Sequence, residues 1–330
     1  MKNDVLVVGG AGYIGSNIVK LLKKRNYNPI VLDNLSTGDE RTLLNATFYK
    51  GELADKVLLK QIFKTHNIKT VFHFAALINV GESVKEPSQY YKNNVCDTLF
   101  LLDAMREYNI KYFIFSSSAA VYGTPSQVPI KESSICNPIN PYGQSKLMIE
   151  KILADFDVAY GLKSSCLRYF NAAGGDPEGE IKNYQAYQGN LIPRVLRSLK
   201  KLQGSVIVYG NDYPTPDGTC IRDYIHVWDL AEAHIKAMEQ LWNQNKSTIY
   251  NLGNGQGYSV LEVIKKAEEI TGKKLTFTFG NRREGDPVTL IADASLAYKE
   301  LKWTPKYSDL DSMIAHAWTA LEGHDILQYI

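Results

Sequence analysis

Tyr142 and Lys146 stand four residues apart in "CNPINPYGQSKLMIEKIL", and a helix brings such a pair onto one face. A free phenol titrates near ~10, so a tyrosine that serves as a base near neutral pH needs roughly 3 pH units of stabilisation, about 4 kcal/mol. A neighbouring ammonium favours the phenolate and supplies part of it. Ser118 ends the apolar run "KYFIFSSS" upstream, where a hydroxyl can bond the same substrate oxygen that Tyr142 deprotonates. A YxxxK spacing alone is common on solvated helices. Joined to that serine and to the turn described next, it points to a base poised on a substrate hydroxyl.

The turn is "VVGGAGYIGSN", with Gly9, Gly12 and Gly15 at GxxGxxG spacing between the strand-like "DVLVV" and a helical pattern. Glycines there allow a tight turn, let backbone N–H groups approach a pyrophosphate and seat the helix on the strand. "PIVLD" then delivers Asp33, whose carboxylate can accept both hydroxyls of an adenosine ribose and would repel a 2′-phosphate. "DNLSTG" supplies no arginine to offset that repulsion, so NAD is favoured over NADP. A cationic nicotinamide would add to the stabilisation of a Tyr142 phenolate. Glu52, in "KGELAD", reads equally as an adenine contact and as a solvated acid.

These groups need a frame. From residue 4 to about 170, "DVLVV", "PIVLD", "TFYKG", "TVFHFAA", "KYFIFSS" and "SSCLRYF" alternate with helical patterns, which predicts an α/β fold with a doubly wound parallel sheet. Asn140 and Pro141 are start signals for the helix that carries Tyr142. At Asn171 the texture changes to the Gly- and Tyr-rich "NAAGGDPEGEIKNYQAYQGN", expected to be a long functional loop or lid. The expected division is a dinucleotide-binding domain over 1–171, also receiving 219–247, and a smaller α/β substrate domain over 172–330.

The 330 residues are 45% hydrophobic, enough for a sizeable core. Lys plus Arg number 37 against 35 for Asp plus Glu, with no long basic run, so neither nucleic acid nor an anionic membrane is expected as partner. The N-terminal apolar run is too short for a signal-peptide core, and no run of ~18 apolar residues suggests a membrane span. Cys96, Cys136, Cys166 and Cys220 form no CxxC, which favours free thiols and the cytoplasm. The six histidines show no metal-ligand spacing, so no metal is expected.

With those residues in view, the chain resembles the extended short-chain dehydrogenase/reductases and, more narrowly, the UDP-hexose 4-epimerases. The resemblance runs from about residue 4 to about 307 and rests on "GGAGYIG", "VLDNLSTG", "HFAA" followed after two residues by "NVGESV", "YYKNNV", "SSSAAVYG", "NPYGQSK", "LRYFNAAG", "YGNDYPTPDGTCIRDYIHVWDLAEAH", "YNLGNGQGYSV" and "RREGDP". It implies a Rossmann domain, a tightly held NAD and interconversion of UDP-glucose and UDP-galactose through a 4-keto sugar. Tyr142 would be the base, Lys146 would hold the nicotinamide ribose, Ser118 would bind the sugar hydroxyl, and Asn94 would support the lysine and its water chain. Cofactor contacts would fall on Gly9, Gly12, Tyr13, Ile14 and Gly15, on Asp33 and Asn34, and on Glu52 and Leu53. Phe74, Ala75, Ser116 and Tyr169 would complete them, beside Asn94, Tyr142 and Lys146.

The resemblance places Arg222 and Arg283 on the substrate diphosphate, Asp286 near the uridine ribose, and Tyr209 beside the base. Asn171, Asn190 and Leu191 fall on the diphosphate and uracil side. It further implies a homodimer built from "TLFLLDAMREY" and "KLMIEKILADF". Sugar-nucleotide dehydratases carry Asp and Glu where this chain has Ala119 and Ala120, which transfer no protons; elimination of water therefore lacks its acid and base. Ile78 stands where many relatives have Lys, and Leu290 where glucose/galactose enzymes often have Tyr. A smaller Leu290 suggests some activity on N-acetylhexosamine forms, with a plain core role of equal weight. The alternatives are a UDP-N-acetylglucosamine or UDP-glucuronate 4-epimerase and a non-catalytic dinucleotide sensor; the presence of both Tyr142 and Lys146 speaks against the sensor.

Overall fold

A computed structural model of the chain describes residues 3–182, 190–201, 204–283 and 286–321. All but the first residue of "KNYQAYQG", the middle of the expected lid, lies outside the described residues. The first half runs β1 (Asp4–Val8), α1 (Tyr13–Lys24), β2 (Asn28–Asp33), β3 (Thr47–Lys50), α2 (Lys56–Thr65), β4 (Ile68–His73), α3 (Val80–Lys85), α4 (Pro87–Tyr91), a π-helical turn (Lys92–Cys96), α5 (Asp97–Glu107) and β5 (Tyr112–Ser118). A short 3-10 turn (Ala119–Tyr122) follows, then α6 (Pro141–Tyr160), β6 (Lys163–Tyr169) and β7 (Asn171–Ala173). The second half runs α7 (Leu191–Leu199), β8 (Val206–Tyr209), β9 (Ile221–His226), α8 (Val227–Gln244), β10 (Thr248–Leu252), β11 (Gly257–Ser259), α9 (Val260–Thr271), β12 (Phe277–Gly280), β13 (Thr289–Leu290), α10 (Ser295–Leu301) and α11 (Leu310–Leu321).

Seven parallel strands form the main sheet in the order β10-β6-β5-β4-β1-β2-β3. Strand order reverses beside β1, and ligands of such sheets bind at that end, outside the carboxyl ends of the strands. The inner strands are apolar throughout because both faces are covered: β5 buries Phe113, Ile114 and Phe115 completely or nearly so. One face packs on α1 and α8 through Ile18, Leu22, Leu230 and Met238, the other on α2, α5 and α6 through Leu59, Leu101 and Leu153. The chain returns to this sheet through α8 and also through β10, which lies beyond the 219–247 expected from sequence.

The smaller layer is centred on β9, flanked by β7, β11 and β13, with a separate β8–β12 ladder and a core between α7, α9 and α11. Ile130 stitches the two parts together, donating its N–H to Ile291 O at 2.8 Å and accepting from Asp293 N at 2.8 Å. Among the described residues, no helix is long and apolar enough to cross a membrane.

Candidate active site

The glycine turn is built by steric necessity. Gly9 has φ +78° and lies so near β4's exit that a Cβ would meet Ala75 N at 2.5 Å. At Gly15 a Cβ would meet Gly9 O at 2.2 Å, whereas at Gly12 it would find only Gly9 O at 3.4 Å and otherwise open space. Gly12 caps α1 with no side-chain bond, and the first turn of α1 carries no acidic residue. An anion-sized cradle at the positive end of a helix dipole results. Asp33 closes it: its carboxylate accepts from Ala11 N at 2.9 Å and Leu35 N at 2.8 Å, while burial raises its pKa against those bonds. The turn thus fits a dinucleotide pyrophosphate with a ribose beside Asp33.

Tyr13 donates its phenol to Gly174 O at 2.8 Å, tying the turn to the second half, and Ile14 packs on the core beneath. Asn34 donates to the Glu52 carboxylate at 3.0 Å, so these two adenine-side candidates hold one another, with Leu53 buried next to them. Phe74 leaves β4 with its ring edge-on to Phe72, and Ala75 lies against Gly9.

At the carboxyl end of β5, the register sets Ser116, Ser117 and Ser118 opposite Leu167, Arg168 and Tyr169. Asn140 accepts from Gly143 N at 2.8 Å and starts α6 with Pro141 in its first turn, which aims Tyr142 and Lys146 at the strand end. Ser118 accepts from Ala120 N at 3.1 Å and stands beside the Tyr142 phenol, whose pKa it lowers. Lys146 is buried and donates to Ser116 O at 2.7 Å, while the Ser116 hydroxyl pairs with the Tyr169 phenol.

Burial raises the pKa of Tyr142, and Ser118 opposes this. Burial also pulls Lys146 down to about 7, with Glu150 opposing. The ammonium lies 5.9 Å from the Tyr142 ring centre and does not by itself overcome the cost of burying a phenolate. With Lys146 alone the phenol stays raised, which fits the expectation that the ammonium and a cationic nicotinamide would share the stabilisation.

Asn94 sits in the π-helical turn, a wider coil found often at functional sites. Its amide accepts from Leu77 N at 2.9 Å and donates to Leu77 O and to Ser145 Oγ, both at 3.0 Å. It therefore clamps the loop after β4 to α6 one residue before Lys146. Thr98 donates to Asn94 O at 2.8 Å and bonds His73 at 2.9 Å, a buried support that sequence reasoning missed.

Among the candidates for the substrate side, Arg222 pairs with Asp286 and donates to Ile221 O at 2.7 Å. Leu290 is paired with Arg222 in the ladder and packs against the cluster of Ala119, Val121, Tyr122, Ile130 and Leu147, so it joins the β9 groups to the turn that follows Ser118. Asn171 donates to Asp223 O at 3.1 Å, and the Asp223 carboxylate accepts from Asn254, Gly255 and Ala292 N–H groups. Further out, the Arg283 guanidinium lies 4.1 Å from the Tyr209 ring centre. Exposed Asn190 precedes α7, and Leu191 opens that helix half-buried against its core. Ile78 is exposed. Glu150, Arg168 and Asp223 are the other buried charged residues here that the sequence reading passed over.

A family model described as NAD dependent epimerase/dehydratase family matches residues 5–253. A curated UDP-glucose 4-epimerase of Halalkalibacterium halodurans is 49% identical over 97% of this chain and 96% of its own length. The crystal structure of UDP-glucose 4-epimerase from Brucella ovis in complex with NAD is 46% identical, with TM-score 0.94 over 97% of this chain and 98% of that one. The enzyme of the same name from Bifidobacterium longum, in complex with NAD+ and UDP, is 41% identical with TM-score 0.91 over 96% and 98%.

Proposed function

The chain belongs to the NAD dependent epimerase/dehydratase family, and on that premise we propose that it interconverts UDP-glucose and UDP-galactose with a retained NAD. The observation that carries the reaction type is the Tyr142–Ser118 pair beside Lys146, with inert Ala119 and Ala120 next in line. One proton leaves and returns at one hydroxyl, and no second acid or base follows the serine.

In this reading Ser118 orients the 4-hydroxyl of the sugar and Tyr142 takes its proton, then gives it back after the sugar has turned. NAD, when bound, takes the hydride from carbon 4, returns it to the opposite face and adds the positive ring charge that Tyr142 needs. Lys146 holds the nicotinamide ribose, the glycine turn holds the pyrophosphate, and Asp33 holds the adenosine ribose. Arg222, Arg283, Asp286, Asn171, Asn190, Leu191 and Tyr209 grip the nucleotide, leaving the hexose free to rotate. Leu290 is already engaged in packing, and relatives 49% and 46% identical are named for glucose, so N-acetylhexosamine turnover is not favoured.

The purified protein, given UDP-galactose, UDP-N-acetylglucosamine and UDP-glucuronate separately with no NAD added, is expected to yield UDP-glucose from the first alone. Chromatography showing no conversion of UDP-galactose, with or without supplementary NAD, overturns the assignment. Arg222→Leu removes a charge-assisted contact to the diphosphate and is expected to raise KM for UDP-galactose about 10- to 100-fold, with kcat changed far less. An unaltered KM would remove Arg222 from the nucleotide grip.

The domain division follows the sheets, with the first part taking 1–171 and the returning α8 and β10. A homodimer is supported by an apolar face on α5 and α6: Val158 is 91% exposed, and Phe100, Ile152 and Phe156 are only half-buried. Four free cysteines, two of them buried, suit a reducing compartment such as the cytoplasm.

A further inference from the structure

Directly behind the tyrosine and lysine lies a buried polar network that the proposed chemistry does not use. Glu150 is one helical turn beyond Lys146 on α6 and is 7% exposed. It accepts from Ser117 Oγ at 2.5 Å and from Arg168 Nε at 2.9 Å and Nη2 at 2.5 Å. Arg168 reaches it from β6, opposite Ser117 in the register, and also donates to Tyr122 Oη at 2.9 Å. Tyr122 in turn donates to Asn251 Oδ1 on β10 at 2.7 Å. One carboxylate therefore connects the strand that ends in Ser118 with the helix that carries Tyr142 and Lys146.

A buried ion pair is weak grounds for stability, because desolvation of two charges offsets most of their attraction. Its position suggests another use. We propose that Glu150 is a positioning residue for the reaction: its grip on Ser117 fixes the strand end that presents Ser118, and it supplies the countercharge for the Lys146 ammonium. The proposal rests on the roles given above to Tyr142 and Lys146.

The groups around Lys146 bear on this. From β4 comes His73, held neutral by burial and by the lysine's charge. From β6 come Arg168, behind Glu150, and the Tyr169 phenol, whose pKa burial raises. The 119–122 turn, α3 and α4 also pack on α6; the first carries the Tyr122 phenol and the last two carry Glu82 and the Tyr90 phenol bonded to it. Glu150 is the carboxylate that opposes the loss of the Lys146 proton. Without it, an unpaired Arg168 would face the ammonium from the same side. Lys146 would then lose its proton at lower pH, so the alkaline limb of the activity profile would fall earlier.

Glu150→Gln keeps the shape and a bond to Ser117 but removes the charge. The expected result with UDP-galactose is a kcat lowered roughly 10- to 100-fold, within the range by which members of one buried hydrogen-bond network couple, with KM nearly unchanged. The alkaline limb of kcat should move down by about one pH unit or more. The double variant Glu150→Gln, Arg168→Met removes both buried charges. It should melt close to the wild type and keep a lowered kcat and a smaller downward shift of the limb.

Ser117→Ala tests the grip alone and should lower kcat with the limb unmoved. A fall in kcat for Glu150→Gln without movement of the limb reduces the residue to a strut and overturns the electrostatic half. Unchanged kcat in Ser117→Ala overturns the positional half. If Tyr142→Phe, run in parallel, turns over normally, the underlying assignment has failed; if it is inactive and the Glu150 variants are normal, only this proposal has.

Discussion

Tyr142→Phe is expected to reduce turnover of UDP-galactose by 10²- to 10⁴-fold, the scale for loss of a general acid–base group, while the bound NAD content and UDP affinity stay as they were. The substitution deletes one hydroxyl at a half-buried position and leaves a ring of the same shape in α6. Ser118 keeps its bond from Ala120 N, and Lys146 keeps its bond to Ser116 O, so neither strand end nor helix has cause to move. What disappears is the phenol that faces Ser118 at that strand end. Ala119 and Ala120 offer no substitute, and the nearby Tyr122 and Tyr169 phenols are pushed up in pKa by burial and occupied with Asn251 and Ser116. Single-turnover spectroscopy of the nicotinamide, together with extraction of the cofactor, checks both halves. Unchanged turnover would take the proton transfer away from Tyr142.

That prediction draws on a site of which some parts were legible in the sequence and others were not, and the boundary is physical. Gly9, Gly12, Gly15 and Asp33 lie within one strand–turn–helix–strand unit, and Tyr142 and Lys146 within one turn of helix, so linear spacing carries their geometry. The parallel sheet was equally legible, since strands buried on both faces are written as unbroken apolar runs. Strand β10 was not, because "TIYNL" at an edge joins β6 from about eighty residues away and its short run has no signature of its own. Arg168 was opaque for a similar reason. It meets Ser117 and Glu150 only through the register between β5 and β6, which no spacing encodes. Glu150 could have been found, because it repeats the four-residue step from Lys146.

The electrostatics were the least legible part. The sequence says that an ammonium stands near a phenol, but the balance of burial against charge depends on how deeply α6 packs. In the folded protein burial dominates for both groups. The turn is also where packing sharpens the sequence reading most, since three glycines that look alike in the motif prove to be required for three different reasons.

The second large effect follows from that difference. Gly15→Ala is expected to yield protein that purifies without NAD and is inactive until the cofactor is supplied in excess. Its new Cβ would sit 2.2 Å from Gly9 O, 2.8 Å from Gly10 Cα and 3.0 Å from Gly9 C, all of them backbone. Gly9 has little room to retreat, because it is in the left-handed region at φ +78° and lies so near Ala75 that even a Cβ on it would come to 2.5 Å from Ala75 N. The strain must therefore displace α1, which is anchored by buried Ile18, Val19, Leu21 and Leu22 against the core it shares with α8. Overpacking of this kind costs about 1–3 kcal/mol, and every 1.4 kcal/mol taken from binding weakens the hold on NAD about tenfold. Gly12→Ala separates the causes. Its Cβ meets only Gly9 O, at 3.4 Å, so the melting temperature should stay near that of the wild type while NAD is still lost, because the methyl group fills the space left for the pyrophosphate. Thermal melts paired with cofactor extraction distinguish the two variants, and a Gly15→Ala protein that retains stoichiometric NAD would show that α1 can yield without opening the cradle.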